Sequence, residues 1–160
     1  MDRTVTEQPF AMALAEGAGA GVAREAEDPV TRRTRETFAA YSEHHDPGYY
    51  AEDATFTDMT NPGRPLVGRE AIGAMLATFY GGAFADGTYR TENQLVAGNR
   101  VLLEFTFLGT HTGQFGDLAP TGRWVELPMM SAYHVEDGLI RWARLYYDSA
   151  SLLRQLGVIG

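Results

Sequence analysis

The amino-acid sequence predicts an α+β domain: a curved, mostly antiparallel, cone-shaped sheet with three N-terminal helices over its concave face and a short C-terminal helix. Three observations carry this expectation. The stretch from Gly109 to Gly157 contains two long strands, Arg123–Val135 and Leu139–Tyr147, joined at Glu136-Asp137-Gly138, where glycine supplies a positive φ. Between Arg100 and Gly109 the odd positions Val101, Leu103, Phe105 and Phe107 are large and apolar, while Glu104 and Thr106 interrupt the even set, so one face of that strand is a core face. The order of elements is helix, helix, strand, helix and then four successive strands, which makes a meander whose helices must share one face. A sheet curled over helices with an aromatic lining encloses either a packed core or a cleft, and clefts of this kind take small apolar ligands.

Residues 1–27 are rich in Ala and Gly around Ala15–Gly21 and read as a flexible or weakly docked extension, with Phe10, Met12 and Leu14 able to dock on a neighbouring surface. The folded domain is expected over 28–160. Asp28-Pro29 gives an N-cap with proline at the first helical position, and Val30, Phe38 and Tyr41 mark the apolar stripe of a helix ending near His44. Asp46-Pro47-Gly48 breaks it. Tyr49-Tyr50-Ala51 reads as a short second helix and Ala54–Asp58 as a strand, by its alternating aromatic and β-branched content. Asn61-Pro62-Gly63 turns the chain, and Leu66-Val67-Gly68 leads into a helix over Arg69–Tyr80, where Ile72, Met75, Leu76 and Phe79 recur at helical spacing. After Gly81-Gly82, strands at Thr88–Ala97 and Arg100–Thr112 meet in a tight hairpin at Gly98-Asn99. Asp148 or Ser149 caps the last helical turns, Leu152–Leu156, which stop at Gly157.

A chain of 160 residues suits one domain with a single sizeable core. The formal charge of −8, with no cluster of Lys and Arg, argues against nucleic acid or an anionic membrane as partner. The absence of cysteine removes disulfides, thiolate nucleophiles and Cys-based metal sites. No run approaches the roughly 18 apolar residues of a membrane span, and the N-terminus lacks a basic-then-apolar signal pattern, so a cytoplasmic protein is expected.

Four segments carry a family likeness: Gly109-Thr110-His111-Thr112-Gly113; Pro120-Thr121-Gly122-Arg123; Glu136-Asp137-Gly138 followed by Ile140; and Asp148 with Leu153-Arg154-Gln155-Leu156-Gly157. Over Asp28–Gly157 the chain resembles the SnoaL-like polyketide cyclases, within the wider nuclear transport factor 2-like group that also holds ketosteroid isomerases, scytalone dehydratases and limonene epoxide hydrolases. The resemblance implies a protein without cofactor or metal, acting on a small hydrophobic substrate or ligand. It also implies a homodimer formed through the outer sheet face, where Glu104, Thr106, His134, Trp142 and Arg144 are expected. One scaffold of this kind hosts several chemistries, so the reaction has to be read from the site.

Asp58 is the candidate acid/base group. The stretch Tyr50–Asp58 resembles the ketosteroid isomerase segment whose final aspartate takes and returns a proton beside the substrate carbonyl. Desolvation at an apolar mouth raises the pKa of a carboxylate, which suits proton abstraction α to a carbonyl. The same residue also fits as the cap of the turn Asp58–Gly63. Ser131 and Tyr133 share the cleft-facing parity and are the candidate donors to an oxyanion, with Tyr133 reading equally as a core tyrosine whose hydroxyl reaches the cleft edge. In the SnoaL cyclases the position of Ser131, seven residues before Gly138, resembles that of a histidine, and the position of Leu145, seven after it, that of the acid/base aspartate. The chain therefore departs from the aldol cyclase pattern at both.

The expected substrate-binding wall is Tyr41, Phe56, Met75, Phe79, Leu103, Phe105, Phe107, Leu145 and Tyr147, with Tyr80 and Asn93 as further candidates. Asp148, which also reads as an N-cap, and His111, whose face is not fixed across the neighbouring glycines, are secondary candidates. Glu43-His44-His45-Asp46 does not form a metal site, because adjacent residues at a helix end point in different directions. There is no P-loop, no G-x-G-x-x-G after a strand and no G-x-S-x-G. The expected activity is that of a cofactor-independent isomerase or lyase working by acid/base catalysis on a small polyketide- or terpenoid-like carbonyl compound, through cyclisation, isomerisation or dehydration. A non-catalytic binder of a small hydrophobic ligand and an epoxide hydrolase of the same fold are the alternatives.

Overall fold

The computed structural model describes residues 26–160, so the extension expected over 1–27 lies outside the described residues except at its end. Asp28 opens helix α1 (Pro29–His44), its carboxylate accepting from the N–H groups of Val30 and Thr31 at 3.3 and 2.9 Å. The Thr31 hydroxyl and N–H hold that carboxyl below the usual carboxylate range, as expected of a cap that accepts from a helix N-terminus. The buried stripe of α1 is Thr34, Thr37, Phe38 and Tyr41. The ring of Phe38 lies 4.7 Å from that of Tyr133, which seats the helix on the sheet.

The second helix expected at Tyr49–Ala51 is not formed. Asp46 accepts from the Gly48 N–H at 2.8 Å and closes a single 3-10 turn over Pro47–Tyr49, and strand β1 (Tyr50–Asp58) begins at once. Tyr50 and Ala51 are 0% and 2% exposed, core positions that an extended chain fills and an isolated turn of helix would not. Leu66–Val67, expected as a lead-in, form a short strand β2 against Thr55 and Phe56. Helix α2 (Arg69–Thr78) then passes into one π turn at Phe79–Ala83, which contains the glycine pair. Strands β3 (Thr88–Ala97), β4 (Arg100–Thr110), β5 (Trp124–Glu136) and β6 (Leu139–Tyr147) follow, and α3 (Ser149–Gln155) ends the fold.

The strands form one six-stranded sheet in the order β2-β1-β6-β5-β4-β3. The meander from β3 to β6 is as expected, but the sheet is mixed because β1 pairs parallel with β6. Asp137 and Gly138 take φ of 53° and 75°, so both central residues of the β5–β6 turn are left-handed, the type I′ geometry that matches strand twist. Along β4, Val101, Leu103, Phe105 and Phe107 are all buried, and Leu102 and Glu104 point out. The pairing sets two inward rows that position the site: Asp58–Leu145–Ser131–Leu103 and Phe56–Ala143–Tyr133–Val101. Among the described residues no helix is long and apolar enough to cross a membrane.

Candidate active site

A cavity of about 240 Å³ opens between the inward sheet face and the helices. All the residues expected to line it do so: Tyr41 from α1; Phe56 from β1; Met75 from α2 and Phe79 from the π turn; Leu103, Phe105 and Phe107 from β4; and Leu145 and Tyr147 from β6. Phe107 sits at the centre of the aromatic wall, its ring 5.1 Å from Phe79 and 5.2 Å from Phe84. Such a wall offers water few hydrogen-bonding partners.

Asp58 reaches this cavity from the last position of β1, half-buried. Its two carboxylate oxygens are engaged differently. Oδ1 accepts from the N–H and the hydroxyl of Thr60 at 2.8 and 2.7 Å, the turn-capping role, while Oδ2 accepts from the Tyr147 hydroxyl at 2.9 Å. A carboxylate oxygen offers about two acceptor positions, so Oδ1 is filled and Oδ2 keeps one free. Burial pushes the Tyr147 phenol up to about 12, with the Asp58 hydrogen bond and charge adding to the rise and the Thr60 hydroxyl opposing it. At neutral pH it therefore stays a donor to Asp58.

Tyr133 lines the cavity one row away. Two strand spacings and two residues separate it from Asp58, roughly 12 Å between Cα atoms at about 4.8 Å per strand and 3.3 Å per residue. Burial pushes the Tyr133 phenol up to about 12, so it is a neutral donor. Ser131, by contrast, has the expected parity but not the expected access. It is 2% exposed, its hydroxyl has no hydrogen-bond partner, and it lies behind the lining residues. Its neighbouring hydroxyl moderates the rise of Tyr133 without meeting hydrogen-bond geometry.

The secondary candidates stand outside the cavity. Asp148 caps α3, accepting from the Ala150 N–H at 3.0 Å and the Ser151 hydroxyl at 2.6 Å, and the Ser151 bonds hold it below the usual carboxylate range. His111 is fully buried beside Phe84 and Phe115, its Nδ1 accepting from the Thr121 N–H at 3.2 Å and meeting the Thr121 hydroxyl at 3.0 Å. The Nε2 of His111 has no partner. Tyr80 does line the cavity. Asn93 does not: a bulge between Thr91 and Asn93 shifts the register of β3, and the side chain instead donates to Glu104 Oε2 at 2.8 Å on the outer face.

The cavity lining also holds residues outside the sequence-derived wall, among them Phe84 and Phe115, one just after the π turn and one on the β4–β5 connection, and His45 at the end of α1. The first two lie where no periodicity speaks. The sequence context of His45 speaks only to metal binding. Burial lowers its pKa from 6.5, and the ring packs against Tyr41 of α1, Tyr80 of the π turn and Tyr89 of β3, with no charged group among these contacts. The sign follows from linkage. A depressed folded pKa contributes stability that is full above the unfolded value of 6.5 and is lost as pH falls toward the folded one. His45→Phe, which keeps a ring on Tyr80, should therefore show a smaller drop in Tm between pH 7 and pH 5 than the parent, measured by calorimetry. An equal drop in both would mean that the ring is charged in the folded state as readily as in the unfolded one.

Comparison with known proteins agrees with this architecture. The family model for SnoaL-like polyketide cyclase matches residues 30–156. A Jannaschia sp. CCS1 protein, described as a candidate SnoaL-like polyketide cyclase, superposes with a TM-score of 0.75 at 17% identity, covering 85% of this chain and 99% of its own. IdmH, a candidate polyketide cyclase from Streptomyces antibioticus, gives a TM-score of 0.63 at 27% identity over 78% of this chain and 98% of its own. A Catenulispora acidiphila protein with a ketosteroid isomerase-like fold gives 0.61 at 21% identity, over 78% and 92%. No curated protein matches the chain. With the family model running from the first turn of α1 to the end of α3, the chain belongs to the SnoaL-like polyketide cyclase family.

Proposed function

We infer that the protein is a cofactor-independent enzyme of the isomerase or lyase type, acting by acid/base catalysis on a small hydrophobic carbonyl compound of polyketide or terpenoid character. The observation that carries this reading is Asp58, a carboxylate with one free acceptor position on Oδ2 in an otherwise largely apolar cavity. In the reaction Oδ2 takes the α-proton, the C–H electron pair moves into the new C=C bond, and the carbonyl oxygen becomes an enolate that meets the Tyr133 hydroxyl. Return of the proton to another carbon isomerises the substrate. Attack of the enolate on a second carbonyl closes a ring. Loss of a β-hydroxyl, which takes the proton from Asp58 and leaves as water, dehydrates it.

The family's histidine and aspartate positions are Ser131 and Leu145 here, facing one another across the β5–β6 pair in the row of Asp58. That substitution favours a second reading, a binder of the same ligands without turnover. Exchange of the α-protons of 2-tetralone in D2O, followed by NMR, separates the two. An enzyme accelerates exchange, whereas a binder shifts ligand signals and leaves the exchange rate at its background. Epoxide hydrolysis is ranked below both, because it needs a water held by several polar groups in this apolar wall.

The proposed assembly is a homodimer through the outer sheet face. Trp142 is already covered in its own chain, with the guanidinium groups of Arg100 and Arg144 each 4.7 Å from its ring. The uncovered apolar surface lies beside it: Leu95, Leu102, Met130 and Tyr146 are 61%, 43%, 46% and 39% exposed and neighbour one another across β3 to β6. A contiguous patch of this kind wants a partner. Light scattering at micromolar concentration should give twice 17.6 kDa for the parent and 17.6 kDa for Met130→Asp. A parent of single-chain mass would sink the dimer.

A further inference from the structure

Helix α1 ends on a histidine where glycine is the usual choice. His45 sits at φ 51° and ψ 39°, and its N–H closes the helix on the Tyr41 carbonyl at 2.8 Å. In this conformation a side chain costs about 1 kcal/mol relative to glycine, so its presence asks for a use. The ring is fixed on three sides. It stacks on Tyr80 at 4.6 Å and 15°, and meets Tyr41 and Tyr89 edge-on at 5.6 and 5.5 Å.

This immobilised ring forms part of the cavity wall. Neither ring nitrogen has a hydrogen-bond partner among the described residues, and burial is the one cause acting on its pKa. Both nitrogens remain accessible, unlike His111 Nε2, which is sealed in the core. A neutral imidazole offers one donor and one acceptor, and polar groups at apolar walls are nearly always paired. Here a polar atom of a molecule in the cavity can take the place of solvent as the partner.

His45 and Asp58 serve different places in it. Asp58 closes β1, whereas Tyr50 opens that strand, its hydroxyl 3.2 Å from that of Tyr41, against whose ring His45 packs. His45 also packs on Tyr89 of β3, four strands from β1 in the sheet order, so the two polar groups meet the cavity from different sides. The stacked and edge-on rings around His45 also favour a flat aromatic neighbour.

We propose that His45 is a second ligand-contacting group, a neutral imidazole that exchanges a hydrogen bond with a hydroxyl or carbonyl oxygen at the far end of a flat aromatic molecule whose first oxygen meets Tyr133 and whose adjacent α-carbon faces Asp58. This rests on the reading of the cavity as a small-molecule site.

The test uses 2,6-dihydroxynaphthalene as probe, with 15N-labelled histidine in the full chain. On saturation the His45 ring nitrogens should shift in the wild-type protein, and His45→Phe should bind the probe about tenfold more weakly, as expected for one lost hydrogen bond. His45→Asn, which tolerates the left-handed backbone, guards against a folding artefact and should weaken the probe less than His45→Phe. If the probe perturbs Tyr133 and Phe105 but leaves the His45 nitrogens and the variant affinities unchanged, the proposal is overturned while the cavity reading stands. If the probe does not bind at all, both fall.

Discussion

Asp58→Asn should reduce enzyme-catalysed exchange of the 2-tetralone α-protons by ~10² or more while leaving ligand affinity nearly unchanged, as expected when a general base is removed without altering shape. The geometry makes this substitution a clean one. Asparagine retains an oxygen that can accept the Thr60 N–H and hydroxyl at the Oδ1 site, so the turn after β1 keeps its closure. What it replaces is Oδ2, the oxygen that Tyr147 contacts and that has the free acceptor position. The amide now presents N–H groups there, which cannot take a proton, and the Tyr147 hydroxyl loses its carboxylate acceptor and turns to accept from them. Some loss of stability, on the order of 1 kcal/mol from that lost hydrogen bond, accompanies the catalytic effect and is measured separately by denaturant titration. Full exchange activity in a folded Asp58→Asn protein would remove Asp58 from the chemistry and leave the binder reading in its place.

How much of this site could be read from the sequence depends on the kind of signal each residue emits. Phe105, Phe107 and Leu103 were legible because a strand alternates with period 2 and their odd positions are uniformly apolar. Asp58 was legible from a strand-end motif and Met75 and Phe79 from helical spacing. The parallel pairing of β1 with β6 was not, because their contact joins Asp58 to Leu145 across most of the domain and nothing local to either strand records it. Parity likewise gave the face of Ser131 but not its depth. Whether a small hydroxyl reaches a cavity depends on the larger side chains around it, here Leu103, Leu145 and Tyr133. His45 shows the reverse failure: its chemistry was visible, but only the path of the chain after α1 brings its ring among Tyr41, Tyr80 and Tyr89.

The largest stability effect is expected at Gly113, within the Gly-Thr-His-Thr-Gly segment that marks the family likeness. Its backbone lies directly against the π turn, with the N–H groups of Thr112 and Gly113 donating to the Ala83 carbonyl at 3.0 and 3.2 Å. A Cβ at Gly113 would stand 2.2 Å from the Gly82 carbonyl oxygen and 2.6 Å from its carbon. Both are backbone atoms, so no side chain can rotate away, and Gly113→Ala must part the two segments. Overpacking of this kind costs about 3 kcal/mol, and for a domain of this size that lowers Tm by roughly 6–12 °C. The loss extends to the site, because the π turn carries Phe79 and leads into Phe84, the β4–β5 connection carries Phe115, and these rings close the aromatic wall at 5.0 to 6.0 Å from one another. Gly82→Ala is the matched control. A Cβ there meets nothing within 4 Å, so the same added methyl on the other side of the same contact should shift Tm little. If thermal melts show both variants unfolding within a degree or two of the parent, the close approach of the two backbones is not what holds this wall.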